Sequence, residues 1–359
     1  MIPYIFVFTI AIFFTVVGQK IYKNNRVTAW ALFIVSILLL STFSAIRDFS
    51  VGTDVKKYGI NFYNFSTQYN SLFEYLNVFK SEQLYHMLNY IFSHNFGNIR
   101  ILFFSMTLFQ LIVIYRIILK TNYKSISMGL LVYLLLYFNT SLNILRQTIA
   151  IFIILIANEK LKNGKYFNCI FLIFIAYLFH SSAIIMLALI PIYKLSKSTK
   201  PYKKLIIISV IVLALFSSIS LLLNYSSSLP VFIRKYLGYI RNSQTNLNIK
   251  FLIYKVLFLI IFLKNSRDCK NDKVHTQYVF FSVFDVLFYF LSNYINYGYR
   301  LSYYFLVFYI FSIPYISSKL KDNKKRQKYN IEMIVFMIGY WIIRYVIIKY
   351  DGTIPYKTF

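Results

Sequence analysis

Three arginines, two acids and a histidine stand out in a chain that uses polar residues sparingly. Arg47 and Asp54 lie in RDFSVGTDVKKY, Glu82 in SEQLYHMLNYIFSHNFGN, and Arg146 beside Gln147 in NTSLNILRQTIAIFII; His180 lies in FHSSA and Arg300 in NYINYGYRLSYYF. A guanidinium makes paired hydrogen bonds to phosphoryl oxygens and stays charged at any relevant pH, so Arg47, Arg146 and Arg300 suit a phosphate or pyrophosphate. Asp54, Glu82 or His180 could supply a general base. Arg146 is expected roughly one turn inside an apolar helix, where a charge costs on the order of 2.5 kcal/mol or more unless it meets water, an acid or an anion. Each residue also has a plainer reading. The loop acids and bases could pair with each other, Arg146 could snorkel to the interface, His180 could be a structural hydrogen-bonding group, and the tyrosines around Arg300 could form an interfacial belt. Ser181 and Ser182 have no nucleophile-elbow pattern. The acids of RDFSVGTD, Asp48 and Asp54, are too far apart for a DxD-like metal motif, so no metal and no cofactor are expected.

The elements that carry these residues must sit in a bilayer. The chain has 359 residues, is 58% hydrophobic and 20% aromatic, and sets 39 basic residues against 11 acidic ones. This composition marks an integral membrane protein rather than a soluble domain. About twelve apolar runs have the length of spanning or re-entrant helices. They fall near 2–19, 29–46, 99–119, 125–140, 142–158, 166–180, 182–194, 204–223, 251–264, 276–297, 301–318 and 331–348, with a break at His180. The expected fold class is therefore all-α and polytopic, a single membrane domain over 1–359 with larger loops at 47–98 and 224–250.

Most basic residues cluster in the loops that follow every second run, and the positive-inside rule makes those loops cytoplasmic. The 47–98 and 224–250 loops then face outward, the first with an interfacial amphipathic helix carrying Glu82. The net charge of +28 thus reads as a topology signal directed at anionic membrane lipids, and nucleic acid is not needed to explain it. Cys169 and Cys269 show neither disulfide nor zinc spacing and are expected to be packing residues.

All the singled-out residues fall on the outer side by this argument. A polyprenyl pyrophosphate sugar, with its tail in the bilayer and its head group outside, would use the arginines, the base and the outer aromatics together. RDFSVGTDVKKY, the Glu82 helix, NILRQTIA, FHSSA, GYRLSYYF and IPY near the C-terminus, in this order, resemble the EpsG family, related to Wzy-type polysaccharide polymerases. The resemblance implies assembly of O-antigen, capsule or exopolysaccharide from repeat units carried on undecaprenyl pyrophosphate, outside the bacterial cytoplasmic membrane and alongside other polysaccharide assembly proteins. It also implies site roles for Arg47, Gly52, Asp54 and Tyr58, for Glu82, for Arg146 and Gln147, for His180, and for Arg300 with Tyr303. Under it, His180, Asp54 or Glu82 would be catalytic, and Arg47, Tyr58, Arg146, Gln147, Arg300 and Tyr303 would bind substrate. The rival expectations are a flippase for the same lipid-linked sugar, which would need no base, and an acyltransferase that decorates the polysaccharide.

Overall fold

The computed structural model describes residues 1–224, 249–265, 269, 272–294 and 297–358, with side chains omitted over 219–224. Among these residues every extended element is helical, and the one β-bridge joins Arg47 to Thr358. Among the described residues, seven helical stretches are long and apolar enough to cross a membrane: Ile2–Ile21, Arg26–Ala45, Ile99–Asn143, Pro201–Ser218, Lys273–Asn293, Gly298–Lys319 and Asn323–Ile347. The runs expected separately at 99–119 and 125–140 fall within Ile99–Asn143, interrupted by a tight turn at Tyr123–Ser125. The loop expected at 224–250 lies almost wholly outside the described residues.

The chain packs as two compact units, Met1–Leu187 with Ile313–Phe359, and Ala188–Ser312. In the second unit, the helices Ile249–Asn265 and Lys273–Phe290 are joined by a buried ion pair, Lys255 Nζ to Asp285 Oδ1 at 2.6 Å. Asp272 caps the second of these helices by accepting from the Val274 N–H at 2.8 Å.

The first unit begins with a helical hairpin, Ile2–Ile21 and Arg26–Ala45. Asn25 caps the second helix through the Thr28 N–H at 3.0 Å. Gly18 lets the two helices approach, because a Cβ there would lie 2.6 Å from the Phe33 ring. The third helix, Ile99–Asn122, joins through buried hydroxyls: the Thr15 Oγ1 lies 2.6 Å from the Tyr115 hydroxyl and 3.1 Å from the Ser36 Oγ. In a bilayer such small polar residues draw helices together where burial of apolar surface cannot.

The decisive local feature is an interrupted helix. A π-helical turn over Leu134–Phe138 runs into the short helix Asn139–Asn143, the chain leaves helical geometry at Ile144, and a new helix spans Leu145–Lys162. The sequence NTSLN explains the break, since its polar side chains are buried and bond elsewhere. Asn139 donates to Thr353 Oγ1 at 3.0 Å and accepts from the Trp341 indole at 2.8 Å. Thr140 donates to Asp351 Oδ2 at 2.9 Å, and Asn143 donates to Asp351 Oδ1 at 3.1 Å. The same Asn143 accepts on its other side from the Asp54 N–H at 2.7 Å and the Thr53 hydroxyl at 3.2 Å.

The C-terminal segment thus fastens the RDFSVGTD stretch to the broken helix. Asp351 accepts the Thr53 N–H on its carbonyl at 3.1 Å, and the Gly352 carbonyl accepts from the Gly52 N–H at 3.0 Å. Gly52 is needed twice over: its φ of +108° is open to glycine, and a Cβ would meet Val55 at 2.8 Å and the Leu142 carbonyl at 3.2 Å. Tyr356 stacks on Phe43 at 4.0 Å, and the Tyr4 hydroxyl donates to the Thr353 carbonyl at 2.8 Å.

Asp351 also lies 3.4 Å from the guanidinium of Arg344, which is buried. Removing one member of such a pair strands the other, at a cost of about 3 kcal/mol. Asp351→Ala is therefore expected to lower the melting temperature of the detergent-purified protein by about 5 °C or more. Asp351→Asn, which keeps part of the hydrogen bonding, should lose less. An Asp351→Ala protein that melts with the native one would contradict the clamp.

Candidate functional site

The break at Ile144 fixes where Arg146 sits. The residue stands in the first turn of the helix Leu145–Lys162, not one turn inside it, so its head group emerges at a helix start. A second break places His180: the helix Tyr166–Phe179 ends, His180 is extended at φ −155°, ψ 118°, and a 3-10 helix runs over Ser181–Ala188. Glu82 is brought in by a third local device. It occupies the cap position of the helix Gln83–Phe96, with left-handed backbone at φ 60°, ψ 37°. A non-glycine residue rarely takes this conformation, and the strain is held only where the surroundings over-determine it.

These three residues meet. One Glu82 carboxylate oxygen pairs with Arg146 Nη1, and the other accepts from His180 Nδ1 at 2.6 Å and from the Ser181 N–H at 3.3 Å. The side chains of Arg146 and His180 keep 17% and 18% of their surface open, whereas that of Glu82 keeps 7%, so the carboxylate lies behind the two groups it holds. Burial pushes the Glu82 carboxyl up, but the hydrogen bond and charge of His180, the charge of Arg146 and the Ser181 N–H hold it below the usual glutamate value. It therefore stays ionised. With Nδ1 committed to the carboxylate, the opposite ring nitrogen, Nε2, is the atom able to take a proton from another molecule.

Tyr58 completes the group. Its ring lies under the Arg146 guanidinium at 3.7 Å, the Lys57 ammonium is 5.2 Å from the same ring, and its carbonyl accepts the Tyr85 hydroxyl at 2.6 Å. A cation held over a tyrosine face keeps its charge while its remaining N–H groups stay available.

The other expected site residues are placed differently. Asp54 is half-buried at the edge of the π-helical turn Val55–Ile60, held through its N–H by Asn143. Gln147 is buried, next in sequence to Arg146. Arg47 is fully buried over the Phe103 ring at 4.3 Å, and donates to Ser44 and, at 3.2 Å, to the Leu142 carbonyl. A substrate contact by Arg47 would require it to leave these partners. Arg300 and Tyr303 belong to the second unit, where Arg300 lies 4.8 Å from the Tyr297 ring and Tyr303 is buried 5.9 Å from the Tyr299 ring.

Asn143, Thr140 and Asp351 escaped the sequence reading, although they place both Arg146 and the RDFSVGTD stretch. The available signal was an acid at the Asp-Gly step of YDGT, in a chain with only 11 acids.

The profile of the EpsG family matches residues 30–358. The chain belongs to the EpsG family. The family consists of Wzy-like polysaccharide polymerases, so this is a polysaccharide polymerase-type membrane protein. No curated protein and no solved structure matches the chain significantly. Within this EpsG-family chain, the Glu82 helix is built with its polar side inward. Tyr85, His86, Asn89 and Ser93 are its buried face, and His86 stacks on Phe79 at 3.4 Å.

Burial lowers the pKa of His86 from 6.5 to about 4. Because the folded value lies below the unfolded one, the unfolded chain takes up the proton first, and stability falls as pH drops from 6.5 towards 4. The Glu82 contribution has the same sense: it is present above the ordinary glutamate value and is lost as pH falls through the lowered one. His86→Phe is thus expected to flatten the decline in melting temperature between about pH 6.5 and 4. A decline as steep as that of the native protein would contradict a buried neutral His86.

Proposed function

We propose that the Arg146–Glu82–His180 cluster is the site at which this EpsG-family protein joins undecaprenyl-pyrophosphate-linked oligosaccharide repeat units, on the outer face of the bacterial cytoplasmic membrane. The observation that carries the reading is one buried carboxylate shared between an arginine suited to pyrophosphate and a histidine suited to a hydroxyl proton. The outward placement is supported by the concentration of basic residues in alternate loops.

In this reading a sugar hydroxyl of one lipid-linked unit attacks the anomeric carbon of a growing chain. The new glycosidic bond forms as the bond from that carbon to the pyrophosphate oxygen breaks, and undecaprenyl pyrophosphate leaves. His180 Nε2 accepts the hydroxyl proton. Glu82 fixes the ring through Nδ1 and stabilises the imidazolium that results, the part a carboxylate plays in hydrolase triads. Arg146, steadied on Tyr58, meets the charge that grows on the departing pyrophosphate. Of the three candidate bases, His180 is preferred because the ionised Glu82, already bonded to Arg146, His180 and the Ser181 N–H, is a poor proton acceptor and Asp54 is anchored beside Asn143. Asp54 and Gln147 then line or support the site. Arg300 and Tyr303 keep a proposed substrate-binding role by residue type.

The test is the chain length of surface polysaccharide in a deletion strain complemented with native protein, His180→Ala or Arg146→Ala at equal membrane abundance. Loss of a general base or of a charge stabiliser costs about 100-fold or more in rate, so both variants are expected to leave single repeat units at the surface. Long chains with both variants would remove the cluster from the reaction. Loss of all surface sugar, single units included, would favour transport of the lipid-linked unit.

A further inference from the structure

Beside the polar cluster lies an apolar groove of about 300 Å³ walled by four helices of the first unit. Three of these walls lead directly to the cluster. Ile149, Ile153 and Ile156 continue the face of the helix that begins at Arg146. Phe179 immediately precedes His180, and Leu88 and Phe92 stand on the helix capped by Glu82. At 1.5 Å per residue the row of isoleucines starts about 5 Å from Arg146 and runs about 10 Å along the helix. A helix that merely faces lipid needs no concavity. Here the hollow is apolar but for Ser105, and the helices that form three of its walls also carry Arg146 or are capped by Glu82 and His180.

We infer that this groove holds the isoprenoid tail of the lipid-linked substrate, in the stretch nearest the pyrophosphate, and so sets the depth at which the anomeric carbon meets His180. The inference rests on the polymerase reading for the identity of the ligand. The apolar lining of the groove and the helices it shares with Arg146, Glu82 and His180 are independent of that reading. A long apolar chain gains about 0.8 kcal/mol per buried methylene, so a few isoprene units contribute substantially to binding, while the charged head is aligned by Arg146 and Lys57. Anchoring of this kind also suits a reaction whose leaving group must remain in the membrane after the sugar has gone.

The experiment uses the full-length protein in nanodiscs of phosphatidylethanolamine and phosphatidylglycerol. The probe is an undecaprenyl pyrophosphate analogue with a diazirine in the isoprene units nearest the head group. After photolysis, adducts are expected on the 149–156 and 172–179 peptides and are expected to be displaced by unlabelled undecaprenyl pyrophosphate but not by added phosphatidylglycerol. Ile153→Trp, which fills the groove, is expected to reduce this labelling about tenfold, the loss of roughly two methylene-sized contacts. Leu172→Trp serves as the second variant if the first does not fold.

Adducts spread evenly over other lipid-facing helices such as 2–21, or displaced equally by phosphatidylglycerol, would overturn the groove assignment. Chain extension is measured on the same preparation with a lipid-linked repeat unit. Groove labelling without extension would uphold the tail site and sink the polymerase reading. Extension with labelling elsewhere would sink the tail site alone.

Discussion

The amide of Asn143 holds the first unit in register. It accepts from Thr53 and Asp54 on one side and donates to Asp351 on the other, and is itself buried, where an unmet amide would be costly. To make these bonds the chain abandons helical geometry at Ile144 and restarts at Leu145. That restart is why Arg146 lies at a helix start, within reach of an acid, instead of within a continuous apolar span. Stretches some 200 residues apart in sequence therefore determine where one guanidinium emerges.

The second constraint is the placement of Glu82. Its left-handed backbone and the inward polar face of the following helix both run against local preference. They are compensated by the pairing of its two carboxylate oxygens with Arg146, His180 and the Ser181 N–H. The carboxylate charge is thereby shared between a permanent cation and a titratable ring. The Leu88 and Phe92 side of the same helix is left to face the apolar groove.

Much of this could be read from residue types. The apolar runs announced the helices because a bilayer demands an unbroken hydrogen-bonded backbone. The break at His180 was visible as FHSSA between two short apolar runs, and Arg146, Glu82 and His180 were singled out because charged or titratable groups are costly in such surroundings. Their meeting could not be read, since 64 residues separate Glu82 from Arg146 and 98 separate it from His180, and no spacing rule spans such distances. Arg47 has the same chemistry as Arg146 but is turned to Ser44 and Leu142, a difference set by packing and not by residue type. Asn143 and Asp351 stayed hidden for a related reason. Polar residues whose task is to hold backbone in place look like any others until their partners are known.

The most direct test of the central claim is a double-mutant cycle on chain extension by the purified protein, with Glu82→Gln, His180→Gln and both changes together. If Glu82 acts through His180, the two losses are strongly non-additive, and the double variant is about as slow as His180→Gln alone. Losses that multiply would mean the two side chains act independently, and would contradict the account.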